Sequence, residues 1–200
     1  MNAERVLVLA SGNAGKLAEL QDALQQWSFR LRAQSEWLVS DAVEDGLSFV
    51  ENAIIKARHA AGLTGQPALA DDSGLVVPVL DGAPGIHSAR YAGEHGDDQA
   101  NCDRLLAELD GKTDRRAWFQ CVLVLMRHAE DPSPLIASAC WHGEILTSPR
   151  GAGGFGYDPL FIPSGAARSA AELSREEKRL QSHRGQAVRA LAAALADAAW

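Results

Sequence analysis

The sequence predicts an α/β fold built on a mixed β-sheet, and two observations carry that prediction. The chain opens with an apolar run, Arg5 to Ala10 (RVLVLA), followed by a glycine-bearing loop, Ser11 to Lys16 (SGNAGK), and a helical pattern. That is the order of a βαβ unit. Farther on, two long β candidates, Arg116 to His128 and Pro134 to Leu146, are separated by AEDPS with Pro132, the pattern of a hairpin. Parallel pairing at one end and antiparallel pairing at the other make the sheet mixed.

The elements follow in order. Leu17, Leu20, Leu24 and Trp27 fall on one face of the first helix, and Phe29 to Ala33 reads as a second strand. Ser48 to Glu51 (SFVE) is a capping box that opens a helix to about Ala61. Its apolar face carries Phe49, Ala53, Ala57 and Ala60, while Asn52, Lys56 and His59 share another face. Ala68 to Leu80 (ALADDSGLVVPVL) is a strand-like run interrupted by two aspartates, and Asp81 to Gly96 lacks a period and reads as a long loop. A helix is expected over about Asp97 to Leu109, with Leu105, Leu106 and Leu109 inward. The glycine-rich stretch Arg150 to Pro159 leads into a short strand, LFIP. Capping boxes at Ser169 to Glu172 and Ser174 to Glu177 start short helices, and a last helix from about Ser182 turns Val188, Leu191 and Leu195 inward. With no repeat or linker, residues 1–200 read as a single domain.

Composition narrows the function. Apolar residues make up 46% and charged residues 22% of the 200 residues, an ordinary balance for a globular protein. No apolar stretch approaches the roughly 18 residues of a membrane span, and MNAERVLV lacks signal-peptide organisation, so the expected location is cytoplasmic, with no membrane partner. Cys102, Cys121 and Cys140 show no C-x-x-C spacing; Cys121 and Cys140 lie in apolar runs and read as reduced core residues. A net charge of −7 argues against a nucleic-acid polymer as partner. It leaves room for a small anionic ligand held by a few local lysines.

Four elements carry chemistry. In Ser11 to Lys16, Gly12 and Gly15 allow backbone N–H groups to turn towards an anion at a helix N-terminus, and Lys16 adds a mobile charge. A plain strand-to-helix turn is the alternative. The loop is not a Walker A motif, because its glycines are three apart and Leu17 follows the lysine. Adjacent Asp71 and Asp72, before Ser73 and Gly74, suggest oxygen ligation of magnesium, with Glu44 and Asp45 as further donors; an Asx turn is the other reading. In GAGGFGYDP the glycines permit close approach, leaving Phe155 either stacked on a flat ligand or buried, with Asp158 behind it. Ser174 to Arg184 brings Lys178, His183 and Arg184, by themselves a solvated helix surface. Taken jointly, a phosphate loop, a carboxylate pair, an aromatic platform and a donor pair are what a nucleoside triphosphate site requires.

These elements, in this order, resemble the inosine triphosphate pyrophosphatase family, also called dITP/XTP pyrophosphatases. The resemblance covers nearly the whole chain: SGNAGKLAEL, EDGLSFVENAIIKARHA, ADDSGL, GAPGIHSARYAG, GGFGYDPLF and ELSREEKRLQSHRGQA. It implies an elongated mixed α/β fold of two lobes, with the active site in the cleft between them. It implies hydrolysis of ITP, dITP and XTP between the α and β phosphates, a requirement for Mg2+, and a homodimer. By motif, Ser11, Gly12, Asn13, Ala14, Gly15 and Lys16 would hold the triphosphate, with Lys56 also facing phosphate. Asp72 would be metal ligand and proton acceptor, Ser73 would touch substrate, and Glu44 matches the second acidic metal position. Relatives carry two acids before a Thr-Gly where this chain reads Val43-Glu44-Asp45-Gly46, so Glu44 and Asp45 both stand as candidates. Phe155, Gly156, Tyr157, Asp158, Lys178, His183 and Arg184 match base-recognition and phosphate-side positions. Donors from His183 and Arg184 would satisfy the acceptor at C6 of hypoxanthine or xanthine and meet a donor on adenine. The competing classes are a non-catalytic nucleotide-binding regulator, a broad phosphatase, and a pyrophosphatase for modified pyrimidine nucleotides.

Overall fold

The structure is a computed structural model and describes residues 5–11, 20–21, 24, 29–93 and 96–198. Six strands, β1 (Arg5–Leu9), β2 (Phe29–Ala33), β3 (Ala68–Val76), β4 (Arg116–Met126), β5 (Leu135–Ile145) and β6 (Phe161–Pro163), form one sheet in the order β2-β1-β3-β4-β5-β6. β1 runs parallel to both β2 and β3, and β5 pairs antiparallel with β6, so the sheet is mixed, as expected. Four α-helices have both ends among the described residues: α1 (Phe49–Thr64), α2 (Asp98–Glu108), α3 (Arg175–Gln181) and α4 (His183–Asp197).

The chain divides into two compact units, one of Met1–Asp72, Val122–Ser138 and Ala187–Trp200, the other of Ser73–Cys121 and Ala139–Gln186. In the first, Leu7, Val8 and Leu9 are all fully buried, as a parallel strand covered on both faces must be. Buried Ala53, Ala57, Ala60 and Ala61 line α1, which packs against β1; residues this small let helix and strand backbones approach closely. Leu20 and Leu24 are helical and fully buried, as their spacing predicts; Leu17 and Trp27 lie outside the described residues. Gln21 ties the edge strand β2: its amide donates to the Phe29 carbonyl (3.2 Å) and accepts from the Leu31 N–H (2.8 Å).

In the second unit the core gathers Leu75, Tyr91, Leu105, Leu109, Phe119, Trp141, Tyr157 and Phe161. Phe161 meets Phe119 edge-on at 4.8 Å between ring centroids and Trp141 at 5.2 Å. Gly143 permits this packing, since a Cβ there would stand 2.3 Å from the Ile162 carbonyl oxygen.

Several sequence expectations change in detail. α1 continues to Thr64, three residues past the expected end, and Gly65 closes it at φ 65°. β3 runs through both aspartates and stops at Val76, with a 3-10 turn over Pro78–Leu80. Asp81 to Gly96, expected to be a long loop, contains a 3-10 helix, Gly85–Arg90. Ser88 anchors it, donating to the Gly85 carbonyl (2.6 Å) and accepting from the Leu75 N–H (2.9 Å). Cys140 is half-buried, while Cys102 and Cys121 are buried; all three are free thiols. Among the described residues no helix is long and apolar enough to cross a membrane.

The β4–β5 connection is held by Asp131, which is 2% exposed. Its carboxylate takes the Arg127 guanidinium at 2.6 and 2.9 Å and the backbone N–H groups of Arg127 and Ser133 at 3.0 Å each. The Arg127 side-chain bonds, followed by those backbone donors, hold this carboxyl well below the usual carboxylate range. A depressed folded-state pKa contributes stability above the unfolded value of about 3.9 and loses it as pH falls further. Asp131→Asn is therefore expected to cost about 1–3 kcal/mol at pH 7. In chemical denaturation the gap to wild type should close progressively below about pH 4.

Candidate active site

The first cluster is assembled by one face of α1. Ser48 caps the helix, accepting from the Glu51 N–H and donating to the Glu51 carboxylate at 2.6 Å. Asn52, Lys56 and His59 then project from successive turns towards the preceding segment. Buried Asn52 accepts from the Gly46 N–H (2.9 Å), Lys56 donates to Glu44 (3.2 Å), and the His59 Nε2 lies 2.8 Å from the Ser40 carbonyl. Three helical side chains thus pin residues 40–46. At Gly46 a Cβ would stand 2.7 Å from the Asn52 Oδ1, so the approach requires glycine.

Lys56 also reaches β3. Its ammonium lies 2.6 Å from Asp72 Oδ1, with side-chain exposures of 14% and 12%. Asp71 and Asp72 are 1% and 9% exposed; adjacent strand residues point to opposite faces, so each face of β3 buries one carboxylate. Burial raises the Asp72 pKa, and the Lys56 ammonium offsets this only in part because Glu44 and Asp71 push the same way as burial. For Lys56, burial works against the charge, but Asp72, Glu44 and Asp71 outweigh it and raise its pKa. The two shifts differ in leading cause, burial for Asp72 and the neighbouring carboxylates for Lys56, but the carboxylates Glu44 and Asp71 push both upward. Such a place attracts further positive charge.

The donor set fits magnesium. Glu44 and Asp72 bring carboxylate oxygens to one ammonium, while Asp45 is exposed, so the geometry favours Glu44 over its neighbour. Among the described residues no group of three or more His, Cys, Asp or Glu side chains is gathered around a cation position. Magnesium characteristically uses one or two carboxylates, with water and substrate phosphate completing its octahedron.

The second cluster surrounds Phe155. Gly154 and Gly156 flank it at φ 78° and 59°, left-handed values that favour glycine, and a Cβ on Gly154 would collide with the Asp158 carboxylate at 2.0 Å. The Asp158 carboxylate accepts from the Phe155 N–H (2.9 Å) and forms an ion pair with Lys178. The Phe155 ring is 59% exposed, the Lys178 ammonium lies 4.4 Å from its centroid, and the Arg184 guanidinium carbon lies 5.9 Å away. His183 is buried and stacks on Phe119 at 5.0 Å with planes 13° apart. Gly185 allows the turn from α3 to α4 to close, because a Cβ there would stand 1.8 Å from the Arg179 carbonyl oxygen.

Of the residues singled out in the sequence, Glu44, Lys56 and Asp72 come together, as do Phe155, Asp158, Lys178 and Arg184. Ser73 is half-buried next to Asp72 in β3, and the Ser11 N–H donates to the Leu9 carbonyl at 2.8 Å. Gly12, Asn13, Ala14, Gly15 and Lys16 lie outside the described residues. The Tyr157 side chain is 3% exposed within the core and its hydroxyl donates to the Ser88 carbonyl (2.8 Å), so it anchors the loop. Sequence reasoning did not single out Asp98, which accepts from the Gly156 N–H at 2.6 Å across 58 positions of chain. No local pattern signals such a contact. Gly185 carried a weak signal, a glycine in the first turn of a predicted helix.

The fold is that of an α/β protein in which the first unit carries a carboxylate–ammonium cluster and the second carries an exposed aromatic ring beside two cations. The family model described as the Ham1 family matches residues 7–194. The chain is 54% identical over 194 residues to the dITP/XTP pyrophosphatase of Pectobacterium atrosepticum, covering 96% of this chain and 98% of that protein. It is 56% identical over 191 residues to the protein of that name from Escherichia coli O157:H7, covering 94% and 97%. The solved structure of a HAM1 protein from Coxiella burnetii superposes with TM-score 0.93 at 49% identity, covering 97% of this chain and 100% of that one. This chain belongs to the Ham1 family.

Removing the cation from the first cluster leaves crowded, buried carboxylates uncompensated. Lys56→Met is expected to lower unfolding free energy by about 3–5 kcal/mol in denaturant titrations without divalent ions. A change within about 0.5 kcal/mol, the range of ordinary surface substitutions, would contradict this account of the cluster.

Proposed function

We propose that this chain, as one domain over residues 1–200, hydrolyses non-canonical purine nucleoside triphosphates (dITP, XTP and ITP) to the monophosphate and pyrophosphate. The observation that carries this reading is the sharing of the Lys56 ammonium by Glu44 and Asp72. It stands in a chain more than half identical to proteins named dITP/XTP pyrophosphatase. Mg2+ is the cofactor this donor set suits, held by Asp72 and Glu44; when bound, it neutralises phosphate charge and orients the phosphate oxygens.

The chain's own residues divide the remaining work. Asp72, with its raised pKa, is suited to orient a water and accept its proton during in-line attack on the α-phosphorus. Lys56 donates to phosphate oxygens as charge builds on the departing pyrophosphate, and Lys16 and Lys178 add to that field. The loop Ser11 to Lys16 cradles the triphosphate, and Ser73 touches it beside Asp72. Phe155 stacks on the base, with Gly156, Tyr157 and Asp158 setting the loop under it. His183 and Arg184 donate to the 6-oxo group that marks hypoxanthine and xanthine. An adenine amino group meets donors instead, a mismatch that hydrogen-bonding sites reject by roughly 10⁴-fold or more. The expected setting is a cytoplasmic homodimer acting on free nucleotides, without nucleic acid or membrane.

One substrate panel tests the reading. With Mg2+, purified protein is expected to release pyrophosphate from dITP, XTP and ITP and little from ATP. Release of single phosphates, or preference for modified pyrimidine triphosphates, would overturn it. Asp72→Asn should lower kcat by about 10²–10³-fold while nucleotide binding persists. Wild-type-like behaviour of that variant, with binding but no turnover in either protein, would identify a nucleotide-binding regulator. Phe155→Ala should raise KM for dITP roughly tenfold through lost stacking.

A further inference from the structure

The two peptide groups around Phe155 are held by different parts of the second unit. The Phe155 N–H is held by Asp158, which also carries Lys178. The N–H and C=O of Gly156 are both held from α2, while the Phe155 carbonyl accepts from the Asp158 N–H (3.3 Å). Asp98, in the first turn of that helix, accepts from the Gly156 N–H at 2.6 Å, and Cys102, one turn on, donates its thiol to the Gly156 carbonyl at 3.5 Å. Residues four apart share a helix face, so the N–H and the C=O of one residue, Gly156, in two successive peptide groups, both dock on one stripe of α2. Burial, with the carboxylates of Asp98, Asp103 and Asp158, pushes the Cys102 thiol up to about 11, which keeps it a donor at neutral pH. The helix is itself tied down: Asp97 caps it through the Ala100 N–H (2.9 Å), and buried Asn101 accepts from the Ala92 N–H (2.7 Å). The Phe155 ring is more than half exposed, with Lys178 and Arg184 at 4.4 and 5.9 Å from its centroid, and the backbone on either side fixes where the ring leaves the loop.

We infer that Asp98 is a positioning residue for base selection, fixing the Gly156 peptide and through it the plane of the Phe155 ring. This rests on Phe155 being the base platform proposed above. Asp98 is exposed and reaches the base only through the loop it holds, so its loss should alter how the base is held before it alters the step at phosphorus.

Three variants decide it: Asp98→Ala, Asp98→Asn, which keeps an acceptor oxygen, and Asp103→Ala as an exposed control on the same helix. Steady-state kinetics on dITP and ATP are to be read beside amide hydrogen exchange of residues 154–158 in the nucleotide-free protein. A charge-assisted hydrogen bond of this kind corresponds to about a tenfold effect or more. Asp98→Ala should raise KM for dITP about tenfold with kcat near wild type, and narrow the dITP-to-ATP preference. Exchange over 154–158 should quicken by a similar factor; Asp98→Asn should fall between, and Asp103→Ala should match wild type. Unchanged exchange in Asp98→Ala, or equal effects from Asp98→Ala and Asp103→Ala, would overturn the inference. So would a fall in kcat without a rise in KM. If wild type fails to turn over dITP, the functional reading fails instead, and exchange over 154–158 still decides whether Asp98 holds the loop.

Discussion

Lys56 carries its ammonium into a place where burial and charge oppose each other. Burial disfavours the cation, yet Asp72, Glu44 and Asp71 outweigh it and raise its pKa. Burial raises the pKa of Asp72, and Glu44 and Asp71 push it the same way against the Lys56 ammonium. This one ammonium joins the end of the first unit's share of β3 to the segment before α1, and both acidic candidates depend on it for their positions. A stability-optimised protein would replace so crowded a set with apolar packing, since buried ionic groups seldom exceed a well-packed core in net contribution. Buried groups with perturbed pKa values of this kind cluster at functional sites.

The second constraint is steric and falls on a few glycines. At Gly46, Gly154 and Gly185 any Cβ would strike a neighbouring oxygen, at 2.7, 2.0 and 1.8 Å respectively. Each lies beside a candidate functional side chain: Gly46 near Glu44, Gly154 before Phe155, Gly185 after His183 and Arg184. The backbone is drawn in within the core as well, as at Gly143, where a Cβ would stand 2.3 Å from the Ile162 carbonyl oxygen. Elsewhere, as at Gly65 and Gly111, positive φ serves ordinary termini with open space around them.

Much of this was legible in the sequence because it is local. Strand β2 and the capped starts of α1 and α3 fall where alternation and Ser-x-x-Glu spacing put them. The shared face of Asn52, Lys56 and His59 follows from helical period, and the structure shows what that face holds. The 3-10 helix Gly85–Arg90 escaped because one or two turns leave no period to count and its anchor, Ser88, bonds back to Leu75. That the Phe155 ring is exposed rather than buried could not be read from composition, and the cations beside it, Lys178 and Arg184, stand more than twenty residues away.

The sequence by itself determined the order of the six strands and of helices α1 to α4, though not the 3-10 segments, together with the mixed character of the sheet and the residue types available for catalysis. Each of those depends on side-chain periodicity and capping chemistry within a few residues. Tertiary structure decided which of Glu44 and Asp45 meets Lys56, that both aspartates of β3 are buried, that Tyr157 anchors while Phe155 faces outward, and that Asp98 grips Gly156. Those outcomes depend on distance between chain segments, and no local pattern of residues encodes which distant donor will arrive at a given acceptor.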